Sequence, residues 1–327
     1  MPLTRREAIA GCGGGLAWLT VSPAQAQAAY PNRLIKMIVP YPPGGTTDLL
    51  GRLVTDQLRS GLDATVIVEN KPGAGTTLGA DLVAKSEPDG YTLLMATSTT
   101  LAINKTLYRK LPYDPVKDFA PIGLVVGVPF ALIINPTIPA KNLPEFIAYA
   151  KSKPGLAYGS AGNGSPQHLG AEMLKSAADI DIRHVPYRGS VPAMLDVIAG
   201  HIPFMVVDLQ PALHQIREGK VRVLGVTTPK RVAIAPDIPT IAEAGLAGYE
   251  FVAWQGVVAP AGTPRPVVDE LAGQIGKLMA DPATREKLTA ISLEPLPPST
   301  PDSFAAYIKS EVDRWAVIVK NSGAEAE

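Results

Sequence analysis

In Val39-Pro40-Tyr41-Pro42-Pro43-Gly44-Gly45-Thr46-Thr47-Asp48 an apolar run gives way to a rigid turn and then to a helix. Leu34–Val39 before the turn has the Val, Ile and Leu content of a buried strand, and Asp48–Ser60 after it puts Leu49, Leu50, Leu53, Val54 and Leu58 on one side of a helix. Three prolines stiffen the turn, and the Gly44-Gly45 pair lets the backbone approach a ligand closely. Thr46 or Thr47 can cap the helix, while uncapped amides and the positive end of its dipole face whatever occupies the crevice. That arrangement favours an anion such as a carboxylate. A proline-stiffened turn with no ligand has the same composition, and both readings stay open on this stretch alone.

The same rhythm of short apolar runs and helical patterns continues to the end of the chain. Further strands are expected at Thr65–Glu69, Tyr91–Thr97, Ile122–Val126, Ala131–Asn135, Leu156–Ser160, Ile182–Val185, Phe204–Val207, Val221–Thr227 and Phe251–Ala259. Helices are expected over Leu143–Lys151, Gln167–Ala178, Val191–Ala199, Leu209–Glu218, Pro266–Asp281 and Pro301–Lys320. The rhythm breaks around Asn135–Pro139 and again around Ala247–Glu250, which suggests two crossings between two α/β domains. Residues 30–130 with 251–327 make the first domain on this view, and residues 131–250 the second. Val39-Pro40-Tyr41 and Val185-Pro186-Tyr187, each followed by glycine and a helix, form a weak internal echo that shared turn chemistry explains as well as duplication does.

The chain has 327 residues, 46% hydrophobic and 18% charged, so it can bury a large core; disordered and collagen-like classes are excluded. Lys and Arg number 30 against 30 Asp and Glu, with no long basic run, which argues against nucleic acid as a partner. Residues 1–26 read as a cleavable export signal: Thr4-Arg5-Arg6, a small and apolar stretch from Ala8 to Val21, then Ala24-Gln25-Ala26. Arg5-Arg6 resembles a twin-arginine signal, but Ala8 and Ile9 stand where that motif has a bulky pair, so the general secretory route stays open. Ile9-Ala10-Gly11-Cys12 also resembles a lipobox, though the apolar stretch before it is short. Cys12 is the one cysteine, so the processed chain has none, as suits an oxidising compartment. No later stretch is apolar over the roughly 18 residues a membrane span needs.

A second loop, Tyr158-Gly159-Ser160-Ala161-Gly162-Asn163-Gly164-Ser165-Pro166-Gln167-His168, repeats the strand, small-residue turn and helix arrangement. Ser165 is placed to cap the helix, and Pro166 fits its first turn. Hydroxyls and bare amides here can hold carboxylate oxygens without a fixed cation, although a flexible surface loop has the same composition. Thr97-Ser98-Thr99-Thr100, Tyr187-Arg188-Gly189 and Asp208 follow strands, where open α/β sheets place ligands. Asp208 can accept from a ligand hydroxyl or amine, or simply cap the next helix. There is no G-x-S-x-G, no G-x-x-x-x-G-K-[ST] and no H-E-x-x-H, and Gly162-Asn163-Gly164 lacks the third glycine of a dinucleotide loop because Gln167 stands there. With four histidines no zinc site is expected. Ser165, His168 and a distant Asp can be drawn as a triad, but residues three apart at a helix start seldom align as nucleophile and base.

Together the motifs Pro40–Gly45 with Asp48, Val68–Gly75, Pro88–Leu93, Tyr158–Ser165 with His168, Val185-Pro186-Tyr187 with Gly189, Pro239-Thr240 with Glu243-Ala244-Gly245, and Ala259–Pro264 carry a resemblance. After the leader, the whole chain resembles the substrate-binding proteins of tripartite tricarboxylate transporters, also called Bug receptors. The resemblance implies a type II periplasmic binding protein, a flytrap of two α/β domains, each a mostly parallel sheet flanked by helices. It implies a small organic carboxylate as ligand, membrane permease subunits as partner, a monomer, no cofactor and no catalysis. Carried over residue by residue, the family's carboxylate-holding loops correspond to Tyr41, Pro43, Gly45 and Thr46 on one side and Ser160, Ala161, Asn163 and Ser165 on the other, and Asp208 matches an acidic position that often helps select the ligand's distal group. Gly44, Thr47, Gly162 and His168 within the same loops, and Thr97, Ser98 and Tyr187 at strand ends, are further ligand-binding candidates read from their positions. Ala253-Trp254-Gln255-Gly256 departs from the common pattern, which has an aromatic after the Trp, so Gln255 is expected to make this pocket more polar. Thr46-Thr47 replaces the Ser or Ala of some members.

Overall fold

The computed structural model describes residues 30–325. The Arg5-Arg6 signal, Cys12 and the Ala24-Gln25-Ala26 processing site lie outside the described residues. In chain order the elements are β1 (Ile35–Val39), α1 (Thr46–Leu62), β2 (Val66–Asn70), α2 (Thr77–Ala84), β3 (Thr92–Thr97), a π-helical turn Thr99–Ile103 running into α3 (Asn104–Leu107), β4 (Phe119–Val128) and β5 (Phe130–Ile134). There follow α4 (Leu143–Lys151), β6 (Leu156–Ser160), α5 (Pro166–Ala178), β7 (Ile182–Pro186), α6 (Ser190–Ala199), β8 (Phe204–Asp208), α7 (Leu209–Arg217) and β9 (Arg222–Val226). The chain ends with β10 (Ala253–Pro260), α8 (Arg265–Ala280), α9 (Pro282–Ala290), β11 (Glu294–Pro295) and α10 (Pro301–Ser322).

Two sheets result, in the orders β11-β4-β10-β3-β1-β2 and β7-β6-β8-β5-β9. β1 is parallel to β2 and β3; Ile35, Met37 and Val39 are fully enclosed on one face, while on the other Ile38 is buried and Lys36 is exposed. Helix α1 closes on it at Gly51, where a Cβ would come within 2.6 Å of Val39 Cγ2.

The sheets are mixed rather than mostly parallel. β10 runs antiparallel to both β3 and β4, and β5 antiparallel to both β8 and β9. A parallel neighbour needs a crossover helix. β5 and β10 instead arrive directly from the opposite sheet. The short α2, the Thr99–Leu107 helical stretch and α9 were also absent from the expected elements.

Both crossings pass close together. Pro129 separates β4 from β5, so one strand leaves the first sheet at Val128 and joins the second at Phe130. The return path runs from β9 through Thr227 to Phe251 and into β10. Thr227 N–H donates to Phe130 O (2.9 Å), and Phe251 N–H donates to Thr227 O (2.9 Å). The Thr227 hydroxyl donates to Phe251 O (2.8 Å) and accepts from Phe130 N (3.3 Å). The Phe130 and Phe251 rings stack beside it with centroids 5.0 Å apart.

Candidate functional site

The first loop is held by Asp48 and Asn70. Asp48 Oδ2 accepts from Gly44 N (3.0 Å) and Arg52 Nε (3.0 Å), and its Oδ1 accepts from Asn70 Nδ2 (2.9 Å). Asn70 Nδ2 also donates to Tyr41 O (3.1 Å). Burial works to raise the Asp48 pKa, but hydrogen bonds from Arg52, Gly44 and Asn70 and the Arg52 charge outweigh it and hold the carboxyl below its ordinary value. Neither threonine caps α1. Gly45 is the N-cap, without a side-chain bond, and Thr46 and Thr47 lie inside the first turn. The first intrahelical bond is Leu49 N to Gly45 O (3.0 Å), and among the described residues the Thr46 and Thr47 amides find no acceptor. Pro43, Gly44 and Gly45 stand exposed at the rim.

The second loop is ordered from behind by two histidines. His168 and His184 stack with centroids 3.8 Å apart, and Tyr158 stacks on His184 in turn, its hydroxyl donating to Glu172 Oε1 (2.5 Å). His168 Nδ1 accepts from Gly164 N (3.1 Å), while His184 Nε2 shares a 2.6 Å hydrogen bond with Ser160 Oγ, which also accepts from Gly162 N (3.0 Å). Burial depresses both imidazoles, and the neighbouring ring and Lys175 add to the effect on His168: it falls to about 3 and His184 to about 4. Both are neutral near pH 7. Ser165 caps α5 as expected, accepting from His168 N (3.3 Å) and donating to Gly162 O (2.7 Å). Gly162 and Gly164 adopt φ of +125° and +70°, and a Cβ on Gly164 would strike Leu107 of α3 at 2.1 Å. The amides of Ala161 and Asn163 are left open among the described residues. The Asn163 side chain reaches the segment after α10, donating to Glu325 O (2.5 Å).

Between the loops, residues of the two sheets meet. Burial raises the Tyr41 pKa, opposed by the nearby Thr99 and Thr97 hydroxyls and reinforced by the charge of Asp208 from the second sheet. Asp208 makes no capping bond to α7. Its Oδ2 accepts instead from Gln167 Nε2 (2.9 Å). Burial presses its pKa upward against the Ser190 and Gln167 hydrogen bonds. Ser98 is 1% exposed, Gln167 and Gln255 each 6%, and Ser98 Oγ, Gln167 Oε1 and Gln255 Oε1 are buried without a hydrogen-bond partner.

The structure therefore brings Tyr41, Thr97 and Asp208 together across the sheets. Tyr187 is placed differently: its hydroxyl is committed to Asp196 (2.6 Å), leaving its ring and backbone beside the second loop. The Ser165–His168–Asp208 arrangement does not form a triad. Ser165 Oγ bonds backbone atoms, His168 Nδ1 bonds Gly164, and Asp208 bonds Gln167. Among the described residues no group of three His, Cys, Asp or Glu is placed to hold a metal, and no helix is long and apolar enough to cross a membrane. Asn70, Gln167 and His184 were not singled out as site residues. Asn70 ends a strand beside the first loop, and His184 stands directly opposite Tyr158 in the β6–β7 register, so pairing these strands would have exposed both.

A family model described as "Tripartite tricarboxylate transporter family receptor" matches residues 50–324. Protein BugT of Bordetella pertussis (strain Tohama I) is 35% identical over 327 residues, covering 99% of each chain. Among solved structures, Rpa4515 of R. palustris with adipate is 33% identical, with a TM-score of 0.84 over 90% of this chain and 99% of that one. MatC (Rpa3494) from Rhodopseudomonas palustris with bound malate is 33% identical, with a TM-score of 0.80 over 89% of this chain and 100% of that one.

Proposed function

Because the chain belongs to the tripartite tricarboxylate transporter receptor family, we propose that it is an exported solute receptor that captures a small organic carboxylate and delivers it to the membrane permease subunits of such a transporter. What supports this reading is that two strand-to-helix loops, one from each sheet, present backbone amides with no acceptor among the described residues: Thr46 and Thr47 from one, Ala161 and Asn163 from the other. Amides at a helix start favour an anion, and charge-assisted hydrogen bonds strengthen when closure removes water. Adipate and malate in two structural relatives are carboxylates, which supports the same chemistry here.

Residues 30–130 with 251–327 act as one closing body and residues 131–250 as the other, turning about the Thr227 crossings. Binding, not catalysis, is the task, since Ser165 and His168 are engaged in shaping their loop. The leader through Ala26 supports a periplasmic location, and the receptor works as a monomer. A thermal-shift screen against small organic acids tests the reading. A carboxylate at a hundred-fold excess over its dissociation constant should add about 2.7 kcal/mol and be recovered unchanged. Consumption of the compound, or stabilisation by neutral compounds alone, would sink it.

A further inference from the structure

The amide cradle accounts for one end of a ligand, and the other end of the same cleft is crowded with acceptors. Asp208 closes β8, with one oxygen on Gln167 Nε2 (2.9 Å) and the Ser190 hydroxyl against it. Gln167 Oε1 is buried and unpartnered, and so is Gln255 Oε1. Gln255 is the antiparallel register partner of Thr97, so the two side chains share a face. Thr97 in turn stands at Tyr41, whose phenol feels the Asp208 charge. Asp208 and Gln167 thus bring a carboxylate and an unpartnered amide oxygen together on the second sheet's side, and Gln255 Oε1 is a further unpartnered acceptor on the first sheet. Among the described residues no Lys or Arg pairs with any of them. Buried acceptors are expected to find donors, and the half-buried Asp208 carries a carboxylate that a cation would neutralise. A second ligand carboxylate brought here would meet like charge and lone pairs.

We propose that the ligand presents a protonated amine to Asp208, Gln167 Oε1 and Gln255 Oε1, so that this chain selects ammonium-bearing carboxylates over dicarboxylates. The proposal rests on the carboxylate-receptor reading and narrows its ligand class. An ammonium group offers three N–H donors and no lone pair, which matches three acceptors and neutralises Asp208. A hydroxyl supplies one donor, and a primary amide supplies two along with an oxygen that has no donor to meet.

Calorimetric titration with pairs of equal chain length tests this: succinate against β-alanine, glutarate against γ-aminobutyrate, and adipate against δ-aminovalerate. The amine should bind about ten-fold tighter or more in the pair that fits the cleft, and Asp208→Asn should cost the amine about ten-fold more affinity than it costs the dicarboxylate, removing that preference. Gln255→Glu adds a charge at the same end and should tighten the amine further, which keeps the proposal open to test if the Asp208 variant fails to fold. Tighter binding of the dicarboxylate in every pair, or an amine preference indifferent to both substitutions, overturns the proposal and leaves the receptor reading standing. Binding by no acid at all overturns the receptor reading and the proposal with it.

Discussion

Asp48 and the His168–His184 pair do the same work in the two loops: each fixes loop backbone while neighbouring amides find no acceptor among the described residues. Asn70 completes the first of these clasps through two hydrogen bonds, to Tyr41 O and Asp48 Oδ1. Asn70→Ala should weaken carboxylate binding by about ten-fold and cost about 1–3 kcal/mol of stability, read by calorimetry and urea unfolding. Unchanged affinity would mean that the loop holds its shape without the clasp. The histidines give a pH dependence. Their ordinary pKa of 6.5 falls to about 3 for His168 and about 4 for His184 in the fold. Below pH 6.5 the unfolded chain takes up protons that the folded chain refuses. Stability is therefore complete above that pH and declines as pH falls toward 4. Melting temperatures between pH 7.5 and 5 should drop accordingly, and His184→Gln should flatten the slope; an equal slope in the variant would place its origin elsewhere.

At the scale of elements, α10 shows what a polar residue on an apolar stripe does. Phe304, Ile308, Glu311, Trp315 and Val319 share its buried face. Glu311 Oε2 accepts the indole N–H of both Trp254 and Trp315 at 2.9 Å, and Arg314 donates to its Oε1 (3.3 Å). Glu311→Ala leaves two buried indole donors without their acceptor, and at about 1–3 kcal/mol for each a loss of about 2–6 kcal/mol is expected in chemical unfolding. Glu311→Gln should recover part of it, and a loss below 1 kcal/mol for the alanine variant would show water taking the acceptor's place. The stripe's spacing of three and four residues was readable in the sequence, but an acidic side chain is ordinarily assigned to the solvent face. β1, β3 and β8 were legible because apolar residues fill most of their positions: Ile35, Met37, Ile38 and Val39, Leu93–Ala96, and Phe204–Val207. Thr97-Ser98-Thr99-Thr100 was not legible as a helical start, because its hydroxyl pairs, Thr97 with Thr100 at 3.2 Å and Thr100 with Thr76 at 2.9 Å, depend on a distant segment. Both loops were found from their glycines and prolines. The partners that orient them, Asn70 and His184, come from neighbouring strands, and Gln167 faces Asp208 only once α5 packs on the second sheet.

For the whole molecule, 30 basic residues balance 30 acidic ones, so no net field draws an anion toward the cleft. Capture then depends on local amides and on how readily the two sheets close. The proposed closing motion would turn about the crossings Val128–Phe130 and Thr227–Phe251, which Thr227 ties together through its backbone and its hydroxyl alike. Thr227→Val preserves the shape and the backbone bonds while removing the hydroxyl's two hydrogen bonds. Those two bonds go to Phe130 N and Phe251 O and to neither loop, so a change in affinity would report on the proposed closure. Loss of about 1 kcal/mol from the closed arrangement should weaken ligand binding by about five-fold. The ligand-free variant should also show a larger radius of gyration in small-angle scattering, while the ligand-bound radius stays that of the native protein. If affinity and both radii match the native values, the hydroxyl stabilises open and closed arrangements equally and the hinge works through the backbone bonds of Thr227 and the stacked Phe130–Phe251 pair.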